Sequence, residues 1–233
     1  MSRTDSVLHL DGIDVSVVRK DVKHVRISVH PPEGRVRVSV PRHVTDSTLR
    51  HMLTPRLPWI RRKRAEAQRV PHAQPELVTG EIHPFRGRHY RLLLTEGNGA
   101  AGVRLAGDDT MELRVPHGSD RNRRAAVLEK WYRLQLHEAV QPLLDEWAPR
   151  LGVSVAEVRI RRMTTRWGSC NTRARRIWLN LELIKRSDAC LEYVLVHELV
   201  HLLEGSHSQR FWRLMDEFMP QWRQHRAALK GTL

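Results

Sequence analysis

Two histidines and a glutamate form the pattern in this chain that is best suited to catalysis. His197, Glu198 and His201 form a His-Glu-x-x-His pattern in a segment that is otherwise apolar. Side chains at positions i and i+4 of a helix lie on one face, so both imidazoles can bind one Zn²⁺. Glu198 lies beside the first histidine and can accept a proton from a water that the metal activates. The spacing predicts a hydrolytic zinc site on a helix, with Glu198 as general base.

A third histidine follows at a spacing that can complete the site. His207 comes shortly after Gly205, and a glycine there allows the chain to turn so that a third imidazole reaches the same metal. Three protein ligands leave one position open for water or substrate, which is typical of catalytic rather than structural zinc. The sequence therefore predicts one Zn²⁺ per chain, bound by His197, His201 and His207. Imidazole ligands favour zinc over the hard cations that prefer oxygen.

Hydrophobic periodicity and capping residues predict the elements that position these side chains. In the second half of the chain they predict a helix over 119–150, strands over 157–165 and 176–181, the metal-binding helix over 188–204, and a last helix over 208–229 that is broken near Pro220. The metal-binding helix carries apolar residues on all sides, which predicts that it is buried. The predicted site therefore lies on a rigid element.

The first half of the chain is rich in predicted strands. Alternating apolar residues predict strands within 7–40 and within 79–116, with one helix between them. The fold class is therefore α+β. We expect an N-terminal β-rich region at 1–118, followed by a helix–sheet–helix catalytic domain at 119–233.

Composition and charge limit the class of protein. The 233 residues are 40% hydrophobic and 28% charged, which is typical of a folded globular chain. No apolar run reaches the roughly 18 residues of a membrane-spanning helix, so no membrane contact is expected. The N-terminal residues lack the apolar core of a signal peptide, and only 2 cysteines are present. Both features favour a reducing, cytoplasmic location.

The basic excess of the chain has two interpretations. The formal net charge is +14, and the excess is spread over both halves of the sequence. Such a surface favours contact with DNA or another polyanion. A general preference for arginine over lysine explains the excess equally well. The basic run Arg61–Arg64 can bind phosphates, although a solvated helix face is the more common role of such a run.

Five residues outside the histidine pattern are candidates for contact with substrate or metal. Arg166, Trp167 and Ser169 are expected in a loop beside the zinc site, facing substrate; a tight turn with Trp167 in the core is the alternative. The strand that ends near Asn180 is expected to be the sheet edge that binds an extended peptide, with Asn180 orienting it. A plain interior strand is the alternative. Cys170 is more consistent with a small buried thiol than with a fourth ligand.

Two glutamates could orient the predicted histidine ligands by hydrogen bonding to them. Glu192 and Glu204 lie on or just after the metal-binding helix, where a carboxylate can accept an N–H from a metal-bound imidazole. Glu204, three residues after His201, is the better placed of the two. A solvated carboxylate is the alternative for each.

Three motifs together resemble a known family. They are RWGSC at 166–170, IWLN at 177–180 and HELVHLLEGSHSQRFW at 197–212. The sequence resembles the YgjP-like metallopeptidase family, which is related to the WLM and SprT-like zinc proteases. The resemblance implies a minimal zincin-like catalytic domain with three zinc ligands, which fall on His197, His201 and His207. The catalytic acid–base falls on Glu198.

The resemblance and the residues together favour a zinc-dependent metallopeptidase acting on protein or peptide substrates. Kinship with SprT-like proteases and the positive charge extend this expectation to DNA-associated proteins as substrates. The same metal site could hydrolyse a nucleotide or another phosphoanhydride, with arginines holding phosphates. A nucleic-acid-binding module with an inactive metal site is a third possibility. This third possibility is disfavoured, because an inactive metal site has no need of a general base such as Glu198.

Overall fold

The computed structural model describes residues 4–30, 33–69 and 75–229, which form two compact units. The first unit is Met1–Gln74 and the second is Pro75–Leu233. Strands dominate the first unit, and the second combines two small sheets with most of the helices. The predicted α+β class is confirmed.

The first unit is a four-stranded sheet with helices that complete its core. The strands are β1 (Thr4–Leu10), β2 (Ile13–Arg19), β3 (Arg26–His30) and β4 (Arg35–Val40), in the order β1-β2-β4-β3. The helices are α1 (Asp46–Leu53), a 3₁₀ turn (Thr54–Arg56) and α2 (Leu57–Arg69). Alternate strand residues such as Val15, Val17 and Val38 are fully buried, and α1 and α2 cover them with Leu49, Leu53 and Ile60. The predicted strands followed by a helix are confirmed, and a 3₁₀ turn divides that helix into α1 and α2.

The basic run Arg61–Arg64 lies on α2 and is largely paired. Arg61 pairs with Asp11, and Lys63 pairs with Glu66 at 2.5 Å. Arg62 also lies 3.7 Å from Glu66. Internal pairing of this kind fits the interpretation of a solvated helix face better than a free phosphate-binding surface.

The second unit begins with another four-stranded sheet and a long helix. The strands are β5 (Ile82–Phe85), β6 (Arg88–Glu96), β7 (Gly102–Ala106) and β8 (Thr110–Val115), in the order β5-β6-β8-β7. Helix α3 (Arg121–Arg150) begins where Asp120 accepts a hydrogen bond from the Arg123 amide at 2.8 Å. It buries Leu128, Tyr132, Leu136 and Val140 against this sheet and the metal-binding helix.

A three-stranded sheet leads into the metal-binding helix. Its strands are β9 (Glu157–Arg161), β10 (Gly168–Asn171) and β11 (Arg176–Asn180), in the order β10-β11-β9. The sequence pattern did not predict β10, whose first residues were expected in a loop. It was also wrong to expect an edge strand at Asn180, because β11 is the central strand and β10 occupies that edge. The interior-strand alternative is the correct one.

Three helices complete the second unit. A 3₁₀ helix (Leu181–Lys185) leads to α4 (Asp188–Val200), and α5 (Gln209–Phe218) and α6 (Trp222–Ala228) follow. Helix α4 ends at Val200, slightly before the predicted end. The break between α5 and α6 falls beside Pro220, as predicted.

The strands at 82–115 belong to the same compact unit as the metal-binding helix. Leu92, Met111 and Leu113 share one core with Leu195 and Leu199 of α4. The unit therefore begins at Pro75. A separate catalytic domain beginning at residue 119 stays a prediction.

Candidate metal centre

Helix α4 is fixed on several sides before it presents its histidines. Most of its side chains are fully buried. At its start, Asp188 accepts two hydrogen bonds from the Arg86 guanidinium, at 2.8 and 2.7 Å. Glu192 accepts one from the Trp147 indole nitrogen of α3 at 2.9 Å, so it does not support a ligand as the sequence suggested. These contacts hold the helix in one orientation.

The three predicted ligands come together at the end of α4 and the start of α5. Candidate ligand atoms of His197, His201 and His207 all lie within 4.8 Å of one another. The Nε2 atoms of His197 and His207 are 3.0 Å apart. Two nitrogens bound to one tetrahedral zinc at about 2.0–2.1 Å lie roughly 3.3 Å apart. The spacing and the donor chemistry of the three side chains therefore fit a single metal ion.

Hydrogen bonding selects the ligand atom of His201. Its Nδ1–H donates to the backbone carbonyl of Glu204 at 3.2 Å, which leaves Nε2 free for a metal. Glu204 therefore supports a ligand through its main chain. Its carboxylate instead accepts hydrogen bonds from Ser206, including one from the hydroxyl at 2.9 Å.

Aromatic side chains orient His207, which lies outside the helix. The His207 ring stacks on Trp212 with centroids 5.4 Å apart and an angle of 18°. Trp212 in turn stacks on Trp222 at 4.7 Å. Phe211 is fully buried and lies beneath the three imidazoles, with centroids 4.6–4.9 Å away. The first turn of α5 thus supplies the aromatic surface against which His207, the third predicted ligand, packs.

All three histidines are in the neutral form that binds metals. Burial, together with the nearby His201, His207 and Arg226, lowers the pKa of His197 to about 3. Burial is also the largest cause that lowers the pKa values of His201 and His207. Each imidazole is therefore unprotonated at neutral pH and can offer a nitrogen lone pair.

Glu198 lies beside the imidazoles with one oxygen free. The side chain is buried, and Oε2 has no hydrogen-bond partner among the described residues. Burial raises the pKa of Glu198 to about 8, and the nearby Arg166 opposes that rise. A buried, unpaired carboxyl is costly for folding, which is typical of a group retained for chemistry.

Gly168 allows β10 to pass close to this carboxyl group. A Cβ at Gly168 would lie 2.5 Å from Glu198 Oε1 and 2.8 Å from its Cγ. We expect Gly168→Ala to displace Glu198 and lower kcat/KM for peptide hydrolysis by about 10-fold to 100-fold, a part of what general-base catalysis contributes. Gly97→Ala is the matched control, because no heavy atom lies within 4 Å of a Cβ there and the residue lies outside the cleft lining. Equal kcat/KM values in the two variants would show that the close approach of Gly168 to Glu198 is not needed for peptide hydrolysis.

The raised pKa of Glu198 predicts how metal removal and pH act together on stability. In the metal-free protein the folded pKa is about 8 and the ordinary value is 4.5. Between these values the unfolded chain has released a proton that the folded chain keeps, so the free energy of unfolding falls as pH rises. We expect metal-free Glu198→Gln to unfold several degrees above metal-free wild type at pH 8. At pH 4 the Glu198 side chain is mostly protonated in the folded and the unfolded chain. Wild type and Glu198→Gln should therefore unfold at nearly the same temperature there.

The four predicted substrate residues separate into two pairs. Arg166 and Trp167 line a cleft of about 350 Å³ beside the histidines. Ser169 does not line this cleft, and lies opposite Trp178 in the β10–β11 pairing. Asn180 is fully buried. The structure therefore brings two of the four residues to the metal centre.

Asn180 ties the segment that carries Arg166 to the sheet. Its side-chain amide donates to the carbonyls of Met163 and Arg166, both at 2.8 Å, and its oxygen accepts from the amides of Met163 and Glu182, both at 3.2 Å. This is a positioning role.

Asn180→Ala is expected to destabilise the fold. The substitution leaves buried backbone groups without partners, at a cost of about 1–3 kcal/mol for each group that water cannot reach. We expect the free energy of unfolding to fall by about 3 kcal/mol in urea titrations. Asn122→Ala, on the exposed face of α3, is the control and should change it little. A loss below about 1 kcal/mol for Asn180→Ala would contradict this role.

Cys170 lies near the site but outside the group of ligands. Burial, reinforced by the charge of Glu198, raises the pKa of its thiol to about 11. The thiol is therefore protonated at neutral pH, where it is a poor ligand and a poor nucleophile. This supports its interpretation as a packing residue.

Three residues beside the histidines had no role predicted from the sequence. Tyr193, Trp212 and Arg226 all line the cleft. Tyr193 lies four residues before His197 on the same helix face, a signal that the sequence contained. Trp212 belonged to the family motif but had no assigned role. Arg226 arrives from α6, and no local pattern pointed to it.

The sequence matches a known protein family. The model of the YgjP-like metallopeptidase domain matches residues 23–232. The chain belongs to the YgjP-like metallopeptidase family. A crystal structure of the metallopeptidase zymogen abylysin from Pyrococcus abyssi is similar at 25% identity, covering 40% of this chain and 94% of that one, with a TM-score of 0.38. No curated protein matches the chain.

Membership of the YgjP-like family indicates the general class of activity. The chain is a metallopeptidase, which is a metal-dependent hydrolase of protein or peptide substrates. The three-histidine group provides a place where such a metal could bind. Among the described residues, no helix is long and apolar enough to cross a membrane.

Proposed function

We propose that this YgjP-like metallopeptidase is a zinc enzyme, with one Zn²⁺ bound by His197, His201 and His207 and with Glu198 as general base. The observation that carries the proposal is the group of three neutral imidazoles beside a buried carboxylate oxygen that has no partner among the described residues. Three nitrogen ligands and an open position match the ligand set of catalytic zinc sites.

Each residue of the site has a defined part in peptide hydrolysis. When bound, zinc supplies Lewis-acid polarisation of the scissile carbonyl and lowers the pKa of a water. The charge of a bound Zn²⁺ would favour the ionised form of Glu198, whose Oε2 then accepts a proton from the attacking water and returns it to the leaving amine. Phe211 and Trp212 keep the imidazoles in place, and Arg166 and Trp167 lie where substrate enters the cleft.

A cleavage assay with controlled metal content tests the proposal. Purified protein with one zinc per chain should cleave an unstructured protein such as casein. A chelator should abolish cleavage, and added Zn²⁺ should restore it. Hydrolysis of nucleotides without cleavage of any protein would overturn the peptidase assignment in favour of the phosphoanhydride alternative.

The proposal extends to DNA-associated proteins as substrates and to the cytoplasm as the location. The net charge of +14 supports contact with DNA, which would bring enzyme and DNA-bound substrate together. Two unpaired cysteines support a reducing compartment. DNA should increase the rate of cleavage of a DNA-bound protein, and about 0.5 M salt should remove that increase because it screens surface charges. An equal rate with and without DNA would argue against this extension.

A further inference from the structure

The cleft beside the histidines has an aromatic and cationic lining. Its lining includes Arg166 and Trp167 from the segment before β10, together with Trp212 of α5 and Arg226 of α6. Tyr193 of α4 also contributes to the lining. Its volume of about 350 Å³ lies within the range of pockets that hold one side chain or a small ligand.

The two arginines at this cleft have no carboxylate partner in the part of the chain that the structure describes. Nearby arginines do have one: Arg223 pairs with Asp216, and Arg162 pairs with Glu182 at 3.2 Å. Arg166 and Arg226 are both exposed, and neither forms an ion pair among the described residues. Glu198 is the one acidic residue in the described lining of the cleft, and its pKa responds to Arg166. The cleft therefore has more fixed positive than negative charge.

Aromatic packing holds Arg226 in position. Its guanidinium carbon lies 5.3 Å from the centroid of Trp212 and 5.8 Å from that of Trp222. Trp212 is also the ring on which His207 stacks. A guanidinium held on aromatic rings keeps its fork of N–H donors available and loses less side-chain entropy when it binds an anion. Arg226 is thus a pre-oriented cation that contacts the same indole ring as His207, a predicted metal ligand.

We propose that this cleft binds a carboxylate of the peptide substrate next to the scissile bond, with Arg226 and Arg166 as its cationic partners. The guanidinium fork matches a carboxylate with two parallel hydrogen bonds. The carboxylate comes either from an acidic side chain or from the C-terminus of the substrate. The proposal rests on the proposed function, because that function places the scissile bond at the histidines. It makes Arg226 and Arg166 specificity-determining residues of the peptidase.

Peptide binding tests this inference separately from catalysis. The protein is zinc-loaded Glu198→Gln, which should bind peptides without cleaving them. The probes are rhodamine-labelled alanine-rich heptapeptides with blocked ends and a central Glu or Gln. A third, neutral peptide has a free C-terminal carboxylate. Fluorescence anisotropy gives Kd for each peptide with the Glu198→Gln protein and with the same protein carrying Arg226→Gln, Arg166→Gln or both.

We expect at least one carboxylate peptide to bind about tenfold more tightly than the Gln peptide. The preference should fall below about twofold in the double arginine variant, whereas Arg226→Lys should retain part of it, because it keeps the charge and loses the fork. Arg213→Gln is the matched control, since Arg213 is exposed on α5 outside the cleft lining, and should keep the full preference.

The outcomes separate the two proposals. Preference for the Glu peptide identifies an acidic side chain as the source of the carboxylate, and preference for the free C-terminus identifies the chain end. No preference, no binding, or a preference unchanged by both arginine substitutions would overturn the inference. Wild-type protein with zinc that binds carboxylate peptides with this preference but cleaves no peptide or protein would contradict the proposed function, while the carboxylate site would stand.

Discussion

Replacing Glu198 with Gln is expected to lower kcat/KM for peptide hydrolysis by about 10²–10⁴-fold without loss of metal. The amide has nearly the same shape and leaves the three imidazoles in place, but it cannot accept a proton from water. The structure makes this loss specific, because Oε2 of Glu198 is buried and has no other partner among the described residues. Steady-state kinetics and elemental analysis on the same preparation measure both quantities.

Two controls separate this loss of activity from a general effect of removing a negative charge. Glu217→Gln removes a carboxylate from the exposed side of α5, and should leave kcat/KM unchanged. The metal content of Glu198→Gln should match that of wild type. If Glu198→Gln kept more than about a tenth of wild-type activity with full metal, general-base catalysis by Glu198 would be contradicted.

The convergence of the three histidines could be predicted from sequence because it depends on local spacing. His201 lies four positions after His197, and helix geometry alone brings their rings to one face. His207 required a turn after the helix, and the turn follows from the loss of helical structure beyond Val200. The family resemblance pointed to the same residues, and the match over 23–232 confirms that resemblance.

The edge of the small sheet could not be predicted because strand order is a non-local property. β10 and β11 form a hairpin whose turn places Arg175 at a φ of 47°. No glycine, asparagine or aspartate marks that position, although residues of these types are the ones that usually adopt such a conformation. The strand signal of Gly168–Asn171 is also weak, since two of its four residues are glycine and serine. Its structure depends on pairing with β11.

The role of Gly168 was also hidden in the sequence. The tight turn considered for RWGSC is not formed at its glycine, because Gly168 begins β10 and does not have a positive φ. Gly168 is needed because the Glu198 side chain occupies the space where a Cβ would lie. That requirement comes from a residue 30 positions later in the chain, so only the packed structure reveals it. The place of Arg226 in the cleft also depends on packing, because its guanidinium lies over Trp212 of α5 and over Trp222 of its own helix.

Replacing His207 with Ala is expected to weaken zinc binding by more than about 100-fold, the upper range for losing a group that merely orients a ligand. His207 lies in the segment just before α5, so its replacement should remove a ligand without disturbing the core of α4. Zinc titration against a competing chelator measures the affinity. His137→Ala, on the exposed face of α3, is the control and should bind zinc as wild type does.

Thermal unfolding gives a second measure of the same loss. Zinc at about a thousand times its Kd stabilises a protein by about 4 kcal/mol if only the folded state binds it. Wild type should therefore unfold at a higher temperature with zinc than with a chelator, and His207→Ala should show little difference at the same zinc concentration. Equal zinc affinity and an equal thermal shift in His207→Ala would mean that the metal is held without this histidine. The 3.0 Å approach of His207 to His197 would then reflect aromatic packing on Trp212 rather than a shared ligand.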